Sequence, residues 1–131
     1  MPNKLLFGGW AAVVEAKTAA YTVKPRDCGK LFTNRGAGAS VTFTLPKIDA
    51  VTGLKGVQFE FMTVAAQPIV IASDPADKLV VHADATADTI TTAGTIGQHL
   101  RVVSDGTGWL VISDPSAASA ATAVTAVTLA T

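Results

Sequence analysis

The sequence is short of the residues on which most protein chemistry depends. Of its 131 residues, one is a cysteine and two are histidines. The single cysteine, Cys28, excludes a disulfide within the chain and a zinc site built from several cysteines. His82 and Asp84 would share one face of a strand, but no third metal ligand is indicated, and no nucleophile stands beside a base. We therefore expect no catalytic, metal or cofactor site, and no enzyme.

Charge is scarce and balanced. Charged residues make up 15% of the chain, and the formal net charge is zero. Soluble domains usually carry about 25% charged residues. Nucleic-acid binding depends on clustered Lys and Arg, so we expect no nucleic-acid partner. A surface with so little charge lacks the repulsion that keeps monomers apart, which favours an assembled protein.

Long apolar runs are absent as well. No run approaches the roughly 20 apolar residues of a membrane span. The first ten residues contain one Lys and an apolar run too short for a signal peptide. We therefore expect no membrane partner and synthesis in a cytoplasm.

The apolar residues that are present alternate with polar ones. Val41, Phe43 and Leu45 share one face of a strand, and Val57, Phe59 and Phe61 repeat this alternation. A period of two is typical of half-buried strands. Four of the five phenylalanines lie between residues 21 and 61, so this stretch is predicted to hold the core; they are Phe32, Phe43, Phe59 and Phe61.

Further strand patterns follow at spacings of about ten residues. Residues 69–71 and 78–83 are two of them, and residues 98–104 and 109–113 form a hairpin around Asp105-Gly106-Thr107-Gly108. Cys28 is expected to be buried in a strand, and residues 84–95 are expected to be a loop with at most one weak strand. No helical pattern interrupts the series. The chain is therefore predicted to be all-β, with a single compact sandwich, jelly-roll-like or barrel domain.

Three segments are predicted. Residues 1–18 form an N-terminal arm, residues 19–115 the β domain, and residues 116–131 an Ala/Thr-rich C-terminal tail. The arm either docks on its own domain or crosses to a neighbouring subunit. Trp109, within the predicted hairpin, is interpreted as a core or interface residue rather than a sugar-stacking one.

One run resembles a known kind of protein. Tyr21-Thr22-Val23 is followed by Asp27-Cys28-Gly29-Lys30-Leu31-Phe32-Thr33-Asn34 and then by Val41-Thr42-Phe43-Thr44-Leu45-Pro46. This order of a strand, a turn-strand and a second strand resembles small β-rich virion proteins of tailed bacteriophages. The similarity continues to about residue 113, although Cys28 stands where the pattern has a small residue such as Ser.

Within that group the chain looks most like a capsid decoration, or cement, protein. The resemblance implies a homotrimer on the outer capsid surface that clamps the major capsid protein and stabilises the expanded head. The implied location is the virion. Capsid contact is expected from the arm and subunit contact from the hairpin; the residues are Leu5, Leu6, Phe7 and Trp10 in the arm, and Trp109 and Val111 in the hairpin.

The alternative is a phage fibre or adhesin-type module that binds host-surface glycans. It predicts an exposed aromatic side chain beside an acidic loop, such as Trp109 near Asp105.

Overall fold

The computed structural model describes residues 13–48, 54–81, 84–113 and 127–130. Within these ranges nearly all regular structure is β-strand, and the one helical element is a 3-10 turn at Pro25–Asp27. The predicted all-β class is confirmed. No helix in the described ranges is long and apolar enough to cross a membrane.

Twelve strands lie in the described residues. In chain order they are β1 (Val14–Ala16), β2 (Tyr21–Thr22), β3 (Leu31–Thr33), β4 (Val41–Thr44), β5 (Gln58–Met62), β6 (Ile69–Ala72), β7 (Leu79–Val81), β8 (Asp84–Ala87), β9 (Thr89–Thr92), β10 (His99–Ser104), β11 (Trp109–Ser113) and β12 (Val127–Ala130). They form two sheets. The first has the order β1-β3-β5-β10-β11-β7-β8, and the second has the order β12-β9-β6-β4-β2.

The first six strands alternate between the sheets. β1, β3 and β5 are neighbours in parallel in the first sheet, and β2, β4 and β6 are neighbours in parallel in the second. The chain from β1 to β6 therefore winds as a coil, and each turn of the coil adds one strand to each sheet. The later strands add antiparallel pairs, including the predicted hairpin of β10 and β11.

The core lies between the sheets. The ring of Phe43, on the second sheet, is 5.3 Å from that of Phe32 and 5.0 Å from that of Phe61, both on the first sheet. All three side chains are buried. The predicted inward faces are therefore correct at Phe43 and Phe61, and the phenylalanines join the two sheets.

Two local predictions are wrong. The stretch from Asp84 contains two strands, β8 and β9, in which Ala87 and Ile90 are buried. Cys28 is exposed rather than buried in a strand. The 3-10 turn ends just before it, and Gly29 has a φ of 85°, so the chain turns before β3 begins.

Both predicted terminal segments contribute to the sheets. Strand β1 falls within the predicted arm and pairs with β3. Strand β12 falls within the predicted tail and pairs with β9. The described part of each segment is therefore an edge strand of this chain's own sheets.

Gly108 allows β11 to lie beside β7. A Cβ atom at this position would be 2.8 Å from the backbone oxygen of Lys78, and that oxygen also accepts the Trp109 backbone N–H at 2.9 Å. We expect Gly108→Ala to lower the free energy of unfolding by about 1–3 kcal/mol, because the strands must separate to admit the methyl group. Urea unfolding measures this. Gly38→Ala is the control, since its Cβ would meet no atom within 4 Å. Equal effects of the two substitutions would contradict the steric argument.

Candidate subunit interface

The middle segment of the run that carries the resemblance, residues 27–34, begins with a buried carboxylate. Asp27 is only 2% exposed. Its Oδ2 accepts the Tyr21 hydroxyl at 2.9 Å and the Lys24 backbone N–H at 2.9 Å, while its Oδ1 is 2.8 Å from Lys30 Nζ. A buried charge is tolerated only with such partners. Asp27 therefore joins β2, the 3-10 turn and the start of β3.

The same segment ends with a buried amide that has a similar role. Asn34 Nδ2 donates to the carbonyl oxygens of Ala65 and Gln67, at 3.2 and 2.9 Å. Its Oδ1 accepts the backbone N–H groups of Val64 and Ala65, at 2.8 and 2.9 Å. One side chain thus satisfies four backbone groups of the loop between β5 and β6.

The residues between these two also support the fold. The Gly29 backbone N–H donates to the Gln58 carbonyl at 2.8 Å, and Phe32 is fully buried. Four polar side chains of the segment thus have partners within the chain; they are Asp27, Lys30, Thr33 and Asn34. The run specifies the coil of strands rather than a reactive site.

A chain of ion pairs extends this network to β1. Glu15 Oε1 is 3.0 Å from Lys30 Nζ, and Glu15 Oε2 is 2.6 Å from Lys17 Nζ. Lys17 Nζ also lies 3.9 Å from the centre of the Tyr21 ring. Hydrogen bonds from Lys17 and Lys30 lower the pKa of Glu15 below its ordinary value. Strand β1 has no buried residue, so these pairs and its ladder with β3 attach it.

Opposing effects act on the second carboxylate of the network. Burial would raise the pKa of Asp27, but the hydrogen bonds from Lys30, the Lys24 backbone and Tyr21 outweigh it and the pKa is lowered. The same contacts raise the pKa of Lys30, through its bonds to Asp27 and Glu15.

These directions fix how stability depends on pH. A carboxylate with a lowered pKa stabilises the fold above its unfolded pKa of about 4, and this is lost as the pH falls through the lower folded value. We expect Lys30→Met to lower the free energy of unfolding at pH 7 by about 1–3 kcal/mol, because Asp27 loses its cation. The midpoint of acid unfolding, followed by circular dichroism, should move to higher pH.

The control for this substitution is Lys47→Met, since Lys47 is exposed. It should leave the acid midpoint unchanged. If both variants unfold at the wild-type pH, the ion pairs do not contribute to acid stability.

The predicted interface residues of the hairpin point inward. Trp109 is fully buried, and its ring centre is 5.8 Å from that of Phe59. Val111 is partly buried and packs against the core. The structure therefore makes Trp109 a core residue of its own chain, with no face free to stack on a sugar or to contact a second subunit. The predicted arm residues lie outside the described residues; they are Leu5, Leu6, Phe7 and Trp10.

The acidic loop of the hairpin is likewise engaged in its own turn. Asp105 Oδ1 accepts the backbone N–H groups of Thr107 and Gly108, at 2.9 and 2.8 Å. These bonds lower the pKa of Asp105, with Gly108 the larger cause. Turn aspartates commonly bond the local backbone in this way.

The other face of the hairpin carries uncovered apolar side chains. Leu110 is 37% exposed and Ile112 46% exposed, and Val80 of β7, in register with Leu110, is 41% exposed. Together these three residues form what we name the hairpin patch. The hairpin patch was not predicted from the sequence. Side chains alternate along β11, so once Trp109 is known to be buried, Leu110 and Ile112 are expected on the opposite, exposed face.

The hairpin patch lies at one end of a row of residues that crosses the outer face of the first sheet. Strand register aligns Val14 with Leu31, Leu31 with Glu60, Glu60 with Arg101 and Arg101 with Ile112. We name these five residues the outward row. Its ends are apolar and its centre is charged. At ~4.8 Å between strands the row is roughly 19 Å long.

Two features mark the charged centre of the outward row. Arg101 Nε is buried and has no hydrogen-bond partner in the described part of the chain. Glu60 Oε2 is 3.7 Å from His99 Nε2, so the carboxylate has a weak neighbour if the histidine is protonated. Adjacent exposed apolar side chains on a regular sheet, such as those of the hairpin patch, can bind another protein surface.

Within the described residues, no group of three or more His, Cys, Asp or Glu side chains is arranged to hold a metal ion. No protein-family model matches the chain, and no curated protein is significantly similar to it.

Proposed function

We propose that this protein is a structural virion protein of a tailed bacteriophage. It is a capsid decoration, or cement, protein that binds the outer capsid surface as a homotrimer and stabilises the expanded head. The observation that carries the proposal is the hairpin patch, where Val80, Leu110 and Ile112 adjoin on two paired strands. Adjacent exposed apolar side chains on a regular sheet favour contact with another protein surface.

The sequence resemblance supplies the virion context. The run from Tyr21 to Pro46 resembles small β-rich virion proteins, and the low charge of the chain suits a subunit that is covered on several sides. Asp27 and Asn34 of the resembling run hold the fold through their hydrogen bonds, which supports a structural role for that run.

The stabilising mechanism is mass action. A trimer that binds the expanded shell and not the dissociated capsid proteins shifts the equilibrium toward the shell. The major capsid protein is the partner. The arm residues Leu5, Leu6, Phe7 and Trp10 make the capsid contact, and the hairpin patch makes the subunit contact.

The glycan-binding alternative receives less support. It predicts exposed aromatic side chains beside acidic loops, and its example was Trp109 near Asp105; Trp109 is fully buried and Asp105 bonds its own turn. The structure therefore favours the decoration protein over a fibre or adhesin module.

Light scattering tests the trimer. The wild-type protein should have three times the chain mass of 13.4 kDa. Leu110→Glu should reduce it to a monomer, because a carboxylate would be buried at the interface and its cross-strand neighbours Val80 and Val103 offer it no partner. Ile96→Glu is the control, since Ile96 is 62% exposed and lies in the loop between β9 and β10. A wild-type monomer, or an unchanged Leu110→Glu trimer, would contradict this assignment.

Head binding tests the capsid role. The purified protein is mixed with expanded heads, and separately with unexpanded heads, of a phage that encodes the chain. We expect saturable co-sedimentation with expanded heads only, and a higher temperature of head disruption. Trp10→Ala should weaken co-sedimentation and leave the trimer mass unchanged. If the wild-type trimer does not bind expanded heads, the proposed decoration role is wrong.

A further inference from the structure

The first described segment of the chain lies on the surface of the domain. No side chain between residues 13 and 20 is buried, and Val23 is the first buried residue that follows. Strand β1, within this segment, is the edge strand of the first sheet and has β3 as its neighbour. Separation of the segment from β3 therefore takes none of its own side chains out of the core. We name residues 13–20 the strap.

Backbone hydrogen bonds attach the strap to β3 at both ends of β1. The Leu31 backbone N–H donates to the Val13 carbonyl, and the Lys17 backbone N–H donates to the Thr33 carbonyl, both at 2.9 Å. Segments with few buried apolar contacts and with backbone hydrogen bonds near solvent are those that open locally in a folded protein. The strap has both properties.

The side-chain contacts between the strap and the domain are made by charged groups. Glu15 Oε1 is 3.0 Å from Lys30 Nζ, and Lys17 Nζ is 3.9 Å from the centre of the Tyr21 ring. The pair of Glu15 with Lys17 lies within the strap and does not attach it. Glu15 and Lys30 are 32% and 23% exposed, so dissolved salt can screen the pair that joins them.

Opening of the strap leaves the buried charge of the domain paired. Lys30 has Asp27 Oδ1 as a second partner, at 2.8 Å, and this contact does not involve the strap. The Tyr21 hydroxyl likewise remains on Asp27 Oδ2. The large cost of stranding a buried charge is therefore avoided.

We propose that the strap opens from β3 as a unit while the rest of the domain stays folded, and that the ion pair between Glu15 and Lys30 holds it closed. The open state bares the N–H and C=O groups along the outer edge of β3, where an extended chain can pair. The strap thus controls access to this edge, and the control is electrostatic. This device belongs to the chain itself and does not depend on the proposed capsid role.

Native-state hydrogen exchange at pH 7 measures the opening. The reporters are the Leu31 and Lys17 amides, whose hydrogen bonds join the strap to β3. They should exchange faster than the amides of β5 and β10, and low concentrations of urea should not change their rate, because local opening exposes little surface. If the reporters instead exchange at the rate of β5 and β10 and respond to urea in step with them, the strap opens only by global unfolding and the inference is wrong.

Salt tests the role of the ion pair. Raising NaCl from about 10 mM to about 0.5 M should accelerate the reporters roughly 2- to 5-fold and leave β5 and β10 unchanged. Glu15→Gln should accelerate them similarly in low salt and remove most of the response to salt. Glu60→Gln is the matched control, since Glu60 lies on β5 and its ionic neighbour is His99. An undiminished salt response in Glu15→Gln would overturn the assignment of the ion pair.

A disulfide lock gives an independent measurement. Val14 and Leu31 are in register on neighbouring strands, at a separation of roughly 4.8 Å that a disulfide can span. In a Cys28→Ser background, Val14→Cys with Leu31→Cys should slow exchange of the Lys17 amide toward that of β5 and β10, and reduction should restore the faster rate. Circular dichroism and thiol titration establish that the locked protein is folded and oxidised. If the oxidised lock does not slow the Lys17 amide, the strap does not open as a unit.

Discussion

The buried carboxylate of Asp27 is the interaction on which the N-terminal half of the fold depends. The chain passes from the second sheet back to the first at this point, and Asp27 bonds the β2 side through Tyr21 and the β3 side through Lys30. The second turn of the coil is thereby placed against the first. Strands β5 and β6 then pair in parallel with β3 and β4. The position of β3, which Asp27 helps to fix, therefore affects the register of the strands that follow it in the first sheet.

Much of the strand content was predictable because bulky side chains alternate with polar ones. In strands β4 and β5 the bulky apolar residues all lie on one face, which is the face that must be buried. The structure buries these residues, which are Val41, Phe43, Phe59 and Phe61. The coil was not predictable, because its turns differ in length and leave no fixed sequence period. Strands β8 and β9 were not predicted, because their residues are mostly Ala, Thr and Asp. Such small or polar side chains leave no clear alternation of apolar and polar positions in the sequence.

The hairpin was predictable but its exposed face was not. Alternation separates Trp109 and Val111 from Leu110 and Ile112, but it does not say which pair is buried. That depends on the packing of Trp109 against Phe59 and on the parallel pairing of β11 with β7, both contacts between distant parts of the sequence. The charged centre of the outward row depends in the same way on the register of five strands.

The placement of the two terminal strands bears on solubility. β1 closes one edge of the first sheet and β12 closes one edge of the second. No residue of β1 is buried, so it adds little to the core. Removing either strand by proteolysis would bare the unpaired N–H and C=O groups of β3 or β9, and open edges of this kind template pairing between molecules. Strand β1 is itself an edge strand, but it has only three residues and one of them is the charged Glu15, and both features discourage pairing between molecules.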